Sequence, residues 1–267
     1  MSAIALYARP LPGFDERVAH ALATLQSAAL DQPGGTVQAT SLGAEDMVLT
    51  DLIARHRLPI DIATLDTGEL HVETLDLIER IEQHYGLRVE TYRPLSASVV
   101  QFVGRHGARA MYDSLALRKA CCAMRKLEPL QRLLGARSAW VTGLRREQSQ
   151  GRGDVPFSER DEMGRLKLNP LADWSWADVW HYIDLHQVPS NPLHDQFMPS
   201  IGCAPCTRAI AVGEDFRAGR WWWEDDKAKE CGLHVNQADA VGGRPSASPP
   251  TSPTGGRVEI EVEGAPA

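Results

Sequence analysis

Short apolar runs alternate with longer helix-like segments along most of this 267-residue chain. Four runs have the length and composition of buried strands: 36–41, 60–65, 89–92 and 139–142. Apolar residues at helical spacing fill four further segments: 22–30, 47–53, 70–85 and 99–103. Strands that alternate with helices pair in parallel, with helices on both faces of the sheet. The sequence therefore predicts an α/β fold with a mainly parallel sheet, whose ligands bind at the carboxyl ends of the strands.

Two segments depart from this alternation. Residues 155–171 alternate weakly around a turn at 161–164, which predicts a hairpin, as a lid or a sheet edge, before a helix near 174–185. Residues 236–267 are rich in Pro, Gly, Ser and Ala and are almost free of periodicity, which is typical of a disordered tail.

Charge and composition restrict the partners of the chain. The chain has 28 Lys and Arg against 35 Asp and Glu, which gives a net charge of −7. This charge disfavours non-specific binding of nucleic acid, so any bound anion needs a local basic pocket. No apolar run approaches the roughly 18 residues of a membrane span, and the N-terminus lacks a signal-peptide pattern. We therefore expect a cytoplasmic protein without a nucleic-acid or membrane partner, and the sequence leaves a homo-oligomer open.

Two glycine-containing turns follow predicted strands. The first, 41–46, includes Ser41 and Gly43 and leads from a strand into a helix, a geometry that presents backbone amides to phosphate. The second follows Leu65 and contains Thr67 and Gly68. An ordinary turn is the alternative at both places, with Glu45 and Asp46 favouring the helix N-terminus. The chain lacks the phosphate-loop motif of kinases and GTPases.

The placement of the five cysteines indicates metal or thiol chemistry rather than a disulfide framework. Cys203 and Cys206 form a CxxC pair late in the chain, whereas Cys121 and Cys122 are adjacent. Adjacent side chains on a helix diverge by about 100°, so both reach one centre only at a helix end or a distortion. Four thiolates with this spacing favour an iron–sulfur cluster over zinc, while metal-free buried cysteines stay an alternative.

Basic residues gather around these cysteines in an otherwise acidic chain. They include Lys126, Arg145, Arg146, Arg217 and Arg220. The spacing of Arg217 and Arg220 predicts one shared helix face that could clamp phosphate or sulfate oxygens, with a solvated basic face as the alternative.

The fifth cysteine, Cys231, stands in a short segment before the tail. Nearby basic groups would lower its pKa and make it a nucleophile, although an unremarkable surface cysteine is the alternative. The three tryptophans at 221–223 predict packing or a docking surface, without a chemical role.

Together these stretches resemble the assimilatory adenylyl-sulfate reductases of bacteria and plants. The resemblance covers roughly 36–234 and rests on five motifs in the family's order: KACCAMRKLEPL at 119–130, TGLRREQS at 142–149, SIGCAPCTR at 200–208, GRWWWE at 219–224 and ECGLH at 230–234. It implies an adenine-nucleotide α-hydrolase-like (PP-loop-like) fold in one domain with a mobile C-terminal segment.

The resemblance also implies the site and the reaction. One [4Fe–4S] cluster per chain would be held by Cys121, Cys122, Cys203 and Cys206. The thiolate of Cys231 would attack adenosine 5′-phosphosulfate, release AMP and form an S-sulfocysteine, from which reduced thioredoxin would release sulfite. The implied substrate-binding residues are Ser41, Gly43, Leu65, Thr67, Gly68, Lys126, Arg145, Arg146, Arg217, Arg220 and His234.

The predicted organisation has four parts: a helical segment at 1–30, the α/β nucleotide- and cluster-binding domain at 31–210, a segment with the catalytic cysteine at 211–235, and the tail at 236–267. The chain continues 36 residues past Cys231, whereas members of the family tend to end soon after this motif. Three alternatives to the reductase remain. They are a reductase of the 3′-phosphorylated substrate or a dual-substrate enzyme, an ATP pyrophosphatase, and a metal-stapled interaction module.

Overall fold

The computed structural model describes residues 2–149 and 152–224, and six strands within these ranges form one sheet. The strands are β1 Thr36–Thr40, β2 Asp61–Leu65, β3 Val89–Tyr92, β4 Ala139–Val141, β5 Ser158–Arg160 and β6 Leu166–Leu168. Cys231, His234 and the predicted tail at 236–267 lie outside the described residues.

The sheet has the order β3-β2-β1-β4-β6-β5. All neighbouring pairs are parallel except β5 and β6, which form the predicted hairpin. In the register, Val37 lies beside Asp61 of β2 on one side and beside Trp140 of β4 on the other. The hairpin joins the sheet through β6, and β5 is the outermost strand. The hairpin was expected to form a lid or a sheet edge, and it forms an edge. The predicted mainly parallel α/β fold is confirmed.

The helices are α1 Ala3–Tyr7, α2 Phe14–Asp31, α3 Ala44–Arg55, α4 Val72–Tyr85, α5 Ser96–His106, α6 Leu115–Cys122, α7 Glu128–Leu134 and α8 Trp176–His186. Local sequence sets several ends: Ser175 and Asp178 form a capping box at the start of α8, and Gly86 takes a left-handed conformation where α4 stops. Among the described residues, no helix is both long and apolar enough to cross a membrane.

Helices cover both faces of the sheet, as expected. The larger core cluster gathers buried side chains of α2, α3, α4 and α8, including Leu25, Leu49 and Trp180. On the other face, Val37 and Trp140 of the sheet pack with Leu133 and other residues of α7. The two layers hold the strands in place, so the loops at their carboxyl ends extend from a rigid support.

Candidate active site

A cavity of about 200 Å³ lies where β1, β2 and β4 end. The loops that follow these strands contribute Ser41, Thr67 and Gly143, and chain segments from later in the sequence close the other side. A parallel sheet places its ligand site at this edge.

The structure brings seven of the implied substrate-binding residues to this cavity. They are Ser41, Gly43, Leu65, Thr67, Lys126, Arg217 and Arg220. Gly68, Arg145 and Arg146 are not among the lining residues. His234 and the implied nucleophile Cys231 lie outside the described part of the chain, so their positions stay predictions.

One side of the cavity carries two buried carboxylates, and we call Ser41, Glu45, Asp46 and Gly143 the acidic side. Asp46 accepts hydrogen bonds from the backbone nitrogen and Oγ of Ser41, at 2.6 and 2.7 Å, and from the backbone nitrogen of Gly143 at 3.0 Å. Burial raises the pKa of Asp46 to about 6, against the opposing effect of these hydrogen bonds. Asp46 thus ties the β1 loop to the β4 loop.

The second carboxylate, Glu45, is paired with Arg145. The Nε and Nη2 atoms of Arg145 both lie 2.9 Å from Oε1 of Glu45, and Gln148 donates to the same oxygen at 2.9 Å. Burial opposes ionisation, but Arg145 and Gln148 hold the pKa of Glu45 below its usual value. Because Arg145 is 1% exposed and engaged by Glu45, its position gives no support to direct substrate contact. Arg146 donates instead to the carbonyl of Val155 at 2.9 Å.

The cavity is also lined by Lys126, Arg217 and Arg220, which we call the basic side. The prediction that Arg217 and Arg220 share a helix face is wrong. They occupy a turn in which the amide of Arg220 donates to the carbonyl of Arg217 at 2.8 Å, and Arg220 then forms a bridge with Thr207. The close approach of Gly219 to the Arg208 backbone suits this turn. The turn nevertheless brings both guanidinium groups to the cavity.

Arg220 is buried without a carboxylate on its guanidinium among its described contacts. Its Nη1 donates to the carbonyl of Ile201 at 3.1 Å, and its guanidinium lies 4.7 Å from the centroid of Trp221. Among the described residues, no hydrogen-bond partner is found for its Nε atom. A buried cation of this kind is suited to an anionic ligand.

All four described cysteines line a second, smaller cavity beside the first. Cys121 and Cys122 end α6, and a π-helical turn, Ala123–Leu127, follows at once. This is the helix end and distortion that adjacent cysteines require to face one centre. Cys203 directly precedes the short 3₁₀ turn Ala204–Cys206, and Cys206 is its last residue.

Backbone contacts fix the CxxC loop to the loop after β2. The amide of Ala204 donates to the carbonyl of Glu69 at 2.7 Å, and Leu70 forms an isolated bridge with Cys203. Oγ1 of Thr67 lies 3.2 Å from the Sγ atom of Cys203. These contacts join the loop after β2 to the cysteine loop.

The chemistry of these four thiols fits the implied cluster. Burial raises the pKa of Cys121, and burial together with Cys203 raises the pKa of Cys206 to about 11, against the effects of Lys126 and Arg220. A bound metal centre deprotonates such thiols by supplying positive charge. Among the described residues, no group of three or more His, Cys, Asp or Glu side chains is arranged to hold one metal ion. An iron–sulfur cluster is larger than one ion and takes four thiolates.

Sequence reasoning missed several residues that line the first cavity. They include Gln148, Arg152, Pro199, Ser200, Ile201, Gly202 and Phe216. Gln148 and residues 200–202 belong to the motifs at 142–149 and 200–208 on which the resemblance rests. Their place in these motifs could have identified them as candidate site residues. Arg152, which donates to Gln148, had no such signal.

Three comparisons with known proteins place this geometry in context. The family model of the phosphoadenosine phosphosulfate reductase domain matches residues 35–209. Among curated relatives, the adenosine 5′-phosphosulfate reductase of Allochromatium vinosum is 59% identical over 214 residues, which are 80% of this chain and 83% of that protein.

Solved structures share the fold. The phosphoadenylyl-sulfate reductase of Candida auris, crystallised with phosphate, superposes with a TM-score of 0.60 at 27% identity, over 74% of this chain and 98% of that one. The FMN adenylyltransferase of Candida glabrata superposes with a TM-score of 0.50 at 14% identity, over 90% and 86%. The second likeness concerns the fold alone. Together they confirm the expected adenine-nucleotide α-hydrolase-like fold.

Proposed function

The chain belongs to the phosphoadenosine phosphosulfate reductase family, and within it we propose that this protein reduces adenosine 5′-phosphosulfate to sulfite and AMP. The reaction serves sulfate assimilation and cysteine biosynthesis. The observation that supports it most is the adjacency of two cavities, one lined by strand-end loops and cations and the other by four cysteines. Lys126 and Trp221 line both.

In this proposal the nucleotide binds at the carboxyl ends of the strands. The loops containing Ser41, Gly43, Leu65, Thr67 and Gly68 surround the adenosine. The acidic side offers a phosphosulfate no positive charge to pair with, because Glu45 takes up the charge of Arg145 and Asp46, held by three donors, is itself an acid. The phosphosulfate therefore lies against the basic side. There Lys126, Arg217 and Arg220 neutralise the charge that develops as the bond breaks.

The proposed nucleophile is the thiolate of Cys231, with His234 beside it in sequence. The thiolate attacks the sulfur of the sulfonate group, and an S–S bond forms while the bond from sulfur to the phosphate oxygen breaks. The electron pair of the broken bond leaves with AMP, which is a stable anion. Reduced thioredoxin then transfers two electrons to the S-sulfocysteine, releases sulfite and becomes a disulfide.

We propose that Cys121, Cys122, Cys203 and Cys206 hold one [4Fe–4S] cluster. Four thiols on one cavity, three of them buried, with Arg125 and Lys126 lining the same cavity, support this assignment. When bound, the cluster would supply a fixed charge beside the substrate and would link the two pairs of cysteines. The electrons of the reaction would come from thioredoxin. The cytoplasm is the proposed compartment, because a reducing environment keeps the four free thiols available for ligation.

The test is a single-turnover transfer of labelled sulfur. Anaerobic protein is mixed with sulfur-labelled adenosine 5′-phosphosulfate without thioredoxin, and wild type is compared with Cys231→Ser by denaturing electrophoresis. Label on the wild type alone, released as sulfite by reduced thioredoxin, is the expected result. Absence of label from protein that contains iron and binds the nucleotide would contradict the reductase mechanism and favour an ATP pyrophosphatase.

The nearest alternative substrate carries a 3′-phosphate, as the name of the Candida auris enzyme indicates. The paired cysteines favour the unphosphorylated substrate, since family members specialised for the 3′-phosphorylated one lack them. Comparing kcat/KM for the two substrates in the same preparation decides between them. A ratio near one would establish dual use, and an excess for the 3′-phosphorylated substrate would reverse the assignment.

A further inference from the structure

A buried ion pair joins the helix that ends in the cysteines to the last described residue of the chain. Nε and Nη2 of Arg118, on α6, donate to the two carboxylate oxygens of Glu224 at 2.9 and 2.7 Å. The side chains are 1% and 7% exposed. A bidentate pair with this burial has one geometry and fixes both partners tightly.

Arg118 also faces the cysteines. It forms a side-chain hydrogen bond with Cys122, the last residue of α6, which the π-helical turn follows directly. Its guanidinium lies 4.5 Å from the centroid of Trp221. One side chain therefore contacts a proposed cluster ligand, the wall shared by both cavities and Glu224.

Two backbone hydrogen bonds hold the chain between the CxxC pair and Glu224. The amide of Trp221 donates to the carbonyl of Cys206 at 3.3 Å, and the amide of Glu224 donates to the carbonyl of Trp221 at 2.9 Å. Arg217 and Arg220 also lie over the Trp221 ring, at 5.9 and 4.7 Å from its centroid. The turn that carries the basic side thus ends at the ion pair.

Chain length gives this ion pair a consequence for the nucleophile. Cys231 is seven residues beyond Glu224, and seven extended residues span at most about 25 Å. A tethered group reacts with an effective concentration set by the length and the attachment point of its tether. Fixing Glu224 beside the shared wall therefore limits how far the Cys231 thiol can lie from that wall.

We propose that Arg118 and Glu224 are positioning residues that fix the start of the Cys231 segment to the cysteine-bearing helix. The inference rests on the proposed function, because it takes Cys231 as the nucleophile. It adds a mechanical connection: the arginine that contacts one of the four cysteines also fixes the residue from which the Cys231 segment continues.

Glu224→Gln tests the connection, since it removes the charge and keeps the shape. Amide hydrogen exchange of the peptide around 217–224 is the first readout, and we expect exchange to rise about tenfold as the two backbone bonds open more often. Iron content and AMP affinity should be unchanged. The rate of sulfonate transfer to Cys231 in a single turnover should fall about tenfold, because the tether is less well fixed.

Glu159→Gln is the matched control. It breaks the ion pair of Glu159 with the largely buried Lys167 on the edge hairpin, at 2.8 Å, and should change neither exchange at 217–224 nor transfer. Glu224→Asp keeps the charge and should restore part of both readouts. This milder variant also serves if Glu224→Gln does not fold.

The outcomes separate the two proposals. Unchanged exchange at 217–224 in Glu224→Gln would overturn the anchor whatever the enzyme does. Raised exchange with an unchanged transfer rate would overturn its connection to Cys231. No label on wild-type protein would overturn the proposed function, and the exchange experiment would still decide whether the ion pair fixes this part of the chain.

Discussion

The acidic and basic sides of the first cavity use charge in opposite ways. On the acidic side, Glu45 is paired with Arg145, and Asp46 accepts three hydrogen bonds that join two strand-end loops. On the basic side, Arg220 contacts a backbone carbonyl and an indole ring, neither of which cancels its charge. One side uses its charges to build the fold, while on the other side the described contacts of Arg220 include no carboxylate. Substitutions on the two sides should therefore separate stability from binding.

The largest effect is expected from Glu45→Ala. It leaves the guanidinium of Arg145 buried without its main carboxylate, so the free energy of unfolding should fall by about 3–5 kcal/mol. Urea denaturation measures the loss. Glu147→Gln is the control, because Glu147 also contacts Arg145 but is 58% exposed, and it should cost less than about 1 kcal/mol. Equal losses in the two variants would contradict the structural role of Glu45.

A pair of glycine substitutions places one methyl group on each side. A Cβ atom at Gly143 would lie 2.9 Å from Cβ of Glu45 and 3.2 Å from the backbone nitrogen of Asp46, so Gly143→Ala should lower the free energy of unfolding by about 1–3 kcal/mol. A Cβ atom at Gly202 would meet the guanidinium of Arg220, which is the end of a flexible side chain.

Gly202→Ala should therefore lower the free energy of unfolding less than Gly143→Ala does, and it should weaken AMP binding more. Displacement of the Arg220 guanidinium should weaken AMP binding about tenfold, as expected for loss of one charged hydrogen bond. Urea denaturation and calorimetric titration of both alanine variants measure the two effects. The assignment of stability to the acidic side and of binding to the basic side is contradicted if Gly202→Ala is the more destabilised variant. It is also contradicted if only Gly143→Ala loses affinity for AMP.

An effect of about the same size as that of Gly202→Ala is expected from Lys126→Gln on the basic side. Lys126 lines both cavities, and a charged hydrogen bond to the phosphosulfate contributes about 1.5 kcal/mol, so kcat/KM should fall slightly more than tenfold. Lys119→Gln makes the same change of charge at an exposed position one to two turns earlier and should leave kcat/KM unaltered. If both variants lose activity equally, the effect comes from overall charge and not from contact.

The sequence predicts the two sides unequally well, for physical reasons. The strands that position the cavity are visible because buried parallel strands are continuous apolar runs. The segment from α6 through the π-helical turn to α7 was not predicted, because its cysteines and basic residues interrupt apolar periodicity. Arg145 stands in a recognisable motif, but its partner Glu45 is 100 positions away, and such a pairing follows only from the folded chain.

Spacing alone also failed to distinguish a helix from a turn at Arg217 and Arg220. A separation of three residues brings side chains together in both, and the turn is decided by contacts with Thr207 and Arg208. By contrast, the requirement for a distortion after Cys121 and Cys122 follows from helix geometry, and the structure has a π-helical turn there. Local geometric constraints can thus be inferred from sequence, whereas the partners of charged side chains require the fold.

The smallest predicted effect is a pH dependence on the acidic side. Burial raises the pKa of Asp46 to about 6, so protonated Asp46 favours the folded state. That contribution is complete below the unfolded pKa near 4 and is lost as the pH rises through 6. Relative to Asp46→Asn, wild type should therefore lose about 1 kcal/mol of unfolding free energy between pH 5 and 7.5, measured by urea denaturation.

Asp161→Asn is the control for this pH dependence. Burial opposes ionisation of Asp161, but Arg165 holds its pKa below the usual value. Its contribution is therefore present above the unfolded pKa and stays constant between pH 5 and 7.5. A wild-type advantage over Asp46→Asn that does not change with pH would mean that Asp46 is already ionised at pH 5. The hydrogen bonds from Ser41 and Gly143 would then outweigh burial, and the acidic side would present a full negative charge to the nucleotide.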